Sequence, residues 1–295
     1  MKKLKQLAVC LSLIATVGSP MAQDHATEVQ DGIQVTPLSR ARVLIPEAQL
    51  DEAAAQQYAQ MMGEAQQKGV LVPASHPEVR RLREIAQRII PHAPRWNQAA
   101  GDWQWQVNLI DSKDINAFCM PGGRIGFFSG ILTQLKLTDD EVAAVMGHEI
   151  AHALREHGRE RMAKSGLTSM GARSVGALIS GIFGIDPGIT GAVASQAGQL
   201  LVLKFSRSEE READLVGLDI SSRAGYDPRA GITLWRKMAA LNKRAPIELL
   251  STHPGGESRI KDMQAHMNVL LPLYARAKGT TVSRLAPYRT NVNLR

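Results

Sequence analysis

The chain reads as an α+β protein: a small antiparallel sheet followed by a run of helices. Three features predict this. Residues 103–130 switch to strand-like alternation, with "WQWQVNLI" followed by two short apolar runs around a Pro-Gly-Gly turn. From Thr138 onward the apolar residues recur mostly at helical spacing. Ahead of the strands, residues 45–93 carry two helical segments.

The elements follow in chain order. "MKKLKQLAVCLSLIATVGSPMAQDHA" sets a lysine cluster before an apolar run from Leu7 to Val17 and then small residues, the order of a secretory signal. That run is shorter than the roughly 20 residues a membrane span needs. We read 1–22 as a cleaved signal and 23–44, with Gly32 and Pro37, as an extended lead-in. The domain itself is read at 45–271. Export implies the periplasm. Cys10 sits at the front of the apolar run, where lipidation is not expected. Cys119 is then the only cysteine of the mature chain, which excludes an internal disulfide. It is read as a small buried side chain beside a turn.

"IPEAQLDEAAAQQYAQMMGEAQQKG" (45–69) is a helix with Pro46 near its start and Gly69 near its end. "HPEVRRLREIAQRIIPHA" is a second, with Val79, Leu82, Ile85 and Ile89 as its apolar stripe. "WQWQVNLI" is a half-buried strand whose Trp103 and Trp105 face one core. "INAFCMPGGRIGFFSG" (115–130) is two short strands around a turn. Arg124, Ile125, Gly126, Phe127 and Phe128 form a candidate edge to which an extended peptide could add. Helices are expected at 139–157, 159–183, 189–222, 228–241 and 257–270. The apolar stretch 174–203 is broken by Asp186-Pro187, and each half is too short to span a membrane. It is read as a helical hairpin, either packed closely or lying over the site; peripheral membrane contact is the minor alternative, and no transmembrane span is expected. Residues 272–295 are a basic, mobile tail with five Lys or Arg and no acid.

Composition bounds the function. A content of 44% hydrophobic and 21% charged residues is that of a globular protein. Lys2, Lys3 and Lys5 supply three of the seven net positive charges, leaving +4 on the mature chain. That favours anionic surfaces slightly and makes no case for nucleic acid.

"VMGHEIAHAL" carries the chemistry. Residues four apart share a helix face, so His148 and His152 aim at one point, a standard start to a zinc site. Glu149 projects beside the metal, where it can take a proton from water and deliver it to a leaving amine. Thr138, with Glu141 three later, forms a capping box at the start of this helix. His157, five residues past His152, is expected to turn away into solvent. The third ligand should be a carboxylate or histidine on a neighbouring element. "FSRSEEREADLVGLDI" (205–220) offers Glu210 and Asp214, four apart on one face, with Glu209 and Glu212 competing; periodicity does not separate them.

The pairing of "HEIAH" with "SRSEEREAD" resembles the HtpX and CAAX-prenyl-protease family of gluzincin metallopeptidases. "NAFCMPGGRIGFFSGIL", "AGYDPRAGITLWRKM" and "STHPGGESRI" extend the likeness over about Ile45 to Met267. The resemblance implies one zinc per subunit, held by His148, His152 and Glu210, with Glu149 as base. Asp214 then accepts a hydrogen bond from a ligand histidine. The signal segment points to the periplasmic BepA- and LoiP-like branch, which cleaves misassembled outer-membrane proteins. Expected partners are unfolded substrates and the outer-membrane assembly machinery. One departure is that only 42 residues follow His253, too few for the tetratricopeptide repeats of BepA-like proteins. His253, in "LLSTHPGGES", resembles the histidine that closes the open zinc position in that branch. The competing role is an oxyanion stabiliser. The rival function is a chaperone-like factor holding unfolded envelope proteins, with zinc merely structural.

Overall fold

The computed structural model describes residues 31–164, 205–242 and 249–292. The signal segment, the stretch 174–203, most of the helix expected at 159–183 and the first part, to residue 204, of the helix expected at 189–222 lie outside the described residues. Strands β1 (Gln106–Ile110), β2 (Ala117–Met120) and β3 (Arg124–Phe128) form one sheet in the order β1-β3-β2. β2 and β3 pair antiparallel around the Pro121–Gly123 turn, where Gly122 and Gly123 take φ of +75° and +82°. β3 then enters the gap beside β1 and pairs with it in parallel. The sheet is therefore mixed, not antiparallel. The expectation that Arg124–Phe128 is an edge is also corrected: β3 is central and hydrogen-bonded on both sides.

Both faces of the sheet are covered, which explains its unbroken apolar runs. Phe118, Met120, Phe128 and Ile110 pack with Tyr58 and Met61 of helix α1 (Glu47–Gln67). Ala117, Cys119, Ile125 and Phe127 face the main core, which takes the whole predicted stripe of α2 (Pro77–Ile89). Trp103 and Trp105 lie before the strand, ring centroids 5.3 Å apart, against the edge of that core.

After the short α3 (Ser129–Gln134) comes α4 (Asp139–Leu154), with the Thr138–Glu141 capping box in place. The chain turns at Glu156, whose φ is +53°, and α5 (His157–Lys164) begins. α6 (Arg207–Arg223) starts at a second capping box, Ser206 with Glu209. Then follow α7 (Arg229–Asn242), α8 (Leu249–Thr252), α9 (Glu257–Ala265) and α10 (Met267–Ala277). The helix expected at 257–270 is thus split at His266, and α10 runs past the anticipated domain end at 271. The chain beyond it is no loose tail. Tyr288 Oη lies 2.9 Å from Thr138 Oγ1, and Thr290 donates to Glu141 Oε1 at 2.7 Å, strapping residues 288–290 to the start of α4.

α4 and α6 cross backbone to backbone. A Cβ on Gly147 would stand 2.6 Å from the Gly217 carbonyl oxygen, and one on Gly217 would stand 2.6 Å from Gly147 C. No larger residue fits at either position without moving a helix. This crossing faces the two histidines of α4 towards the carboxylates of α6. Among the described residues, no helix is long and apolar enough to cross a membrane.

Candidate metal centre

His148 and His152, one turn apart on α4, point the same way: their Nε2 atoms are 3.1 Å apart. α6 supplies Glu210, whose carboxylate oxygens lie 3.6 Å from His148 Nε2 and 3.4 Å from His152 Nε2. The chain segment after α8 brings in His253, its Nδ1 2.9 Å from Glu210 Oε1 and 3.3 Å from His148 Nε2. All four side chains are buried. Donors about 2.0 Å from a tetrahedral ion stand about 3.3 Å from one another. The spacings observed here, 2.9–3.6 Å, match that value. Two imidazoles and a carboxylate with a further imidazole are also a donor set zinc accepts. The residues fit the group.

Glu149 stands beside these donors rather than among them. Its Oε2 is 3.9 Å from His253 Nε2, and its Oε1 is buried without a protein hydrogen-bond partner among the described residues. Burial, reinforced by the nearby Glu210 charge, pushes its carboxyl above the ordinary value, so it is the more basic carboxylate of the site. Burial acts against the Glu210 carboxylate too, but His253, His152 and Arg259 outweigh it and hold that group well below its usual range. Burial keeps His152 neutral, the form that ligates.

Asp214, one turn after Glu210, holds His148 from behind: its Oδ1 is 3.1 Å from His148 Nδ1. Such a contact sets the tautomer of a ligand histidine. Arg259 of α9 grips Asp214 with two hydrogen bonds of 2.6 Å and also donates to Glu210 Oε2. Its guanidinium lies 3.6 Å from the Trp235 ring centre. Two competitors for the third ligand are engaged elsewhere. Glu209 caps α6 and pairs with Arg161; Glu212 pairs with Arg155.

Residues 77–267 match Peptidase family M48. The chain belongs to this family. Among M48-like relatives, mitochondrial metalloendopeptidase OMA1 of Arabidopsis thaliana is 38% identical over 166 residues, 56% of this chain and 32% of the relative. OMA1 of Schizosaccharomyces pombe is 31% identical over 204 residues, 66% of this chain and 54% of the relative. The beta-barrel assembly-enhancing protease of Escherichia coli K12 is 29% identical over 199 residues, 65% of this chain and 39% of the relative. The chain thus spans about a third to a half of the length of these relatives.

Two features of this M48 site were not read from the sequence. Arg259 stands in the quoted "STHPGGESRI", but nothing local signals its role, since its partners lie 45 and 49 residues away. His157 was expected to be solvated. It is instead buried, with its Nδ1 3.0 Å from His152 Nδ1. The reason is the turn at Glu156: helical extrapolation from His152 fails once α4 ends at Leu154. Cys119 is buried in the core, and burial together with Glu149 pushes its thiol up, away from the reactive thiolate.

Proposed function

We propose that the chain is a zinc-dependent endopeptidase of the periplasm, hydrolysing unfolded or misassembled envelope proteins. The observation that carries the hydrolytic part is the buried donor set with Glu149 at its side, whose Oε1 has no hydrogen-bond partner among the described residues. When bound, zinc would supply a Lewis acid that polarises a carbonyl and makes water more acidic. Glu149 Oε1 is free to accept a proton from the attacking water and to pass it to the leaving amine. A purely structural metal would need no such base, which weighs against a chaperone-like factor with little proteolysis.

With β3 central, the candidate edge for an extended substrate moves to β2, beside α4. The Phe128 N–H donates to the Asn116 carbonyl at 3.1 Å. Alternation along the antiparallel pair then turns the Phe118 backbone toward β3 and that of Ala117 and Cys119 outward, where the Ala117 N–H donates to Asn116 Oδ1 at 2.9 Å. Backbone pairing there would select chains that are locally unfolded. An apolar cavity lined by Val145, Leu218, Leu234, Met238 and Met263, and bordered by Glu149 and His253, would receive a substrate side chain.

The compartment rests on the signal-like segment 1–22 and on the Escherichia coli relative, whose name ties it to β-barrel assembly. The OMA1 relatives are mitochondrial by name, so the likeness to them supports the chemistry alone. Envelope proteomics tests the reading: outer-membrane protein fragments should disappear when wild-type protein is replaced by Glu149→Gln, and full-length misassembled forms should accumulate. An unchanged envelope profile would leave the peptidase without this role.

A further inference from the structure

We propose that His157 is a positioning residue for the metal centre, accepting the Nδ1 proton of His152 and handing the arrangement on to Glu212. The proposal rests on the metal reading above.

The proton pattern follows from geometry. His152 presents Nε2 to the donor set, 3.1 Å from His148 Nε2 and 3.4 Å from Glu210 Oε1. A neutral imidazole that ligates through Nε2 carries its proton on Nδ1. That Nδ1 lies 3.0 Å from His157 Nδ1, and both rings are buried. Two N–H groups cannot face each other at this distance, so His157 Nδ1 is the acceptor and its proton sits on Nε2. His157 Nε2 faces Glu212 Oε1 at 3.7 Å. Donation then runs from His152 to His157, whose remaining N–H is directed at the Glu212 carboxylate across a contact longer than a hydrogen bond.

The far end is anchored and its charge is balanced. Arg155 Nε donates to Glu212 Oε1, and Thr36 Oγ1 donates to Glu212 Oε2 at 3.2 Å. Arg155 also donates to the Thr36 carbonyl at 2.6 Å, tying the lead-in to the same cluster. The arrangement parallels the other ligand: Asp214 holds His148 and is balanced by Arg259, while His157 with Glu212 holds His152 and is balanced by Arg155. The backbone is bent to make this contact. In a continued helix, the residue five beyond His152 would sit about 140° round the axis. The left-handed Glu156 instead turns His157 back against His152. Phe205, its ring centre 4.0 Å from that of His152 and 6.4 Å from that of His157, packs beside the pair.

Packing alone would explain a buried ring but not an acceptor, and two substitutions separate these roles. His157→Phe keeps the ring and removes the acceptor; His157→Gln offers a carbonyl oxygen instead. Zinc affinity is measured on the full chain by competition with a chelator, and melting of the metal-free protein is followed in parallel. We expect His157→Phe to bind zinc about 10- to 100-fold more weakly with metal-free melting unchanged, and His157→Gln to recover most of the loss. Wild-type affinity in His157→Phe, or equal losses in the two variants, overturns the proposal. Nitrogen-15 spectra of histidine-labelled, zinc-loaded wild-type protein decide the matter without any variant. Protons on His152 Nδ1 and His157 Nε2 support the proposal, and a proton on His157 Nδ1 overturns it. Failure of the metal reading looks different: the wild-type chain itself would bind no zinc, or His148→Ala would bind it as well as wild type does.

Discussion

His253 Nδ1 stands 2.9 Å from Glu210 Oε1, so a residue 43 positions away completes the donor set of the metal centre. The same ring turns its Nε2 towards Glu149, at 3.9 Å. In this position His253 is a fourth donor aimed at the same point as His148, His152 and Glu210, with Glu149 beside it. The geometry favours the closing role over oxyanion stabilisation. His253→Ala should therefore raise cleavage of an unfolded protein, and self-cleavage, severalfold. A fall of about a hundredfold with metal retained would instead assign the oxyanion role.

Glu210 and Glu209 are neighbours with separate duties. Glu210→Ala removes a donor buried between two histidines and Arg259, and bound metal should fall sharply in elemental analysis. Glu209→Ala removes the reciprocal half of the α6 capping box and the Arg161 pair, and should cost about 1 kcal/mol of stability while metal content holds. Loss of metal from Glu209→Ala and not from Glu210→Ala would place the ligand one residue earlier.

The crossing at Gly147 and Gly217 predicts a steric effect on the site. Gly217→Ala forces a Cβ to within 2.6 Å of the α4 backbone, so the helices must separate. A loss of about 1–3 kcal/mol is expected in denaturant unfolding, together with weaker metal binding. Undiminished stability and affinity would show that the two helices tolerate a wider spacing.

Asp214 supplies a pH prediction for the metal-free protein. Burial would raise its pKa, but Arg259 and His148 outweigh burial and lower it. A depressed carboxyl contributes stability that is present above its unfolded pKa, about 3.9, and is lost as pH falls through the folded value. The melting-temperature gap between wild type and Asp214→Asn should thus be widest near neutral pH and narrow below about pH 4. A gap that stays constant down to acid pH would contradict this.

How much of this was legible beforehand depends on the range of the interaction. The α4 half of the centre is local: a capping box and two histidines one turn apart are written within Thr138–His152. By periodicity Glu210 was one of several carboxylates; the family resemblance named it, and the crossing of α4 with α6 gives the physical reason. The status of His157 was hidden by a single left-handed residue, Glu156, which no periodicity anticipates. Strand order was equally hidden. A short apolar run after a Pro-Gly-Gly turn marks β3 as a strand but carries no information on whether one neighbour or two will flank it. Arg259 belongs to the same class, since its role exists only where α9 meets α6.

The central claim is that Glu149 acts as the base beside a zinc that it does not hold. The most direct test compares wild type and Glu149→Gln for zinc content and for cleavage of unfolded casein under identical conditions. The account predicts unchanged zinc and a fall in cleavage of at least about a hundredfold. Near-normal cleavage by folded, zinc-loaded Glu149→Gln would contradict it.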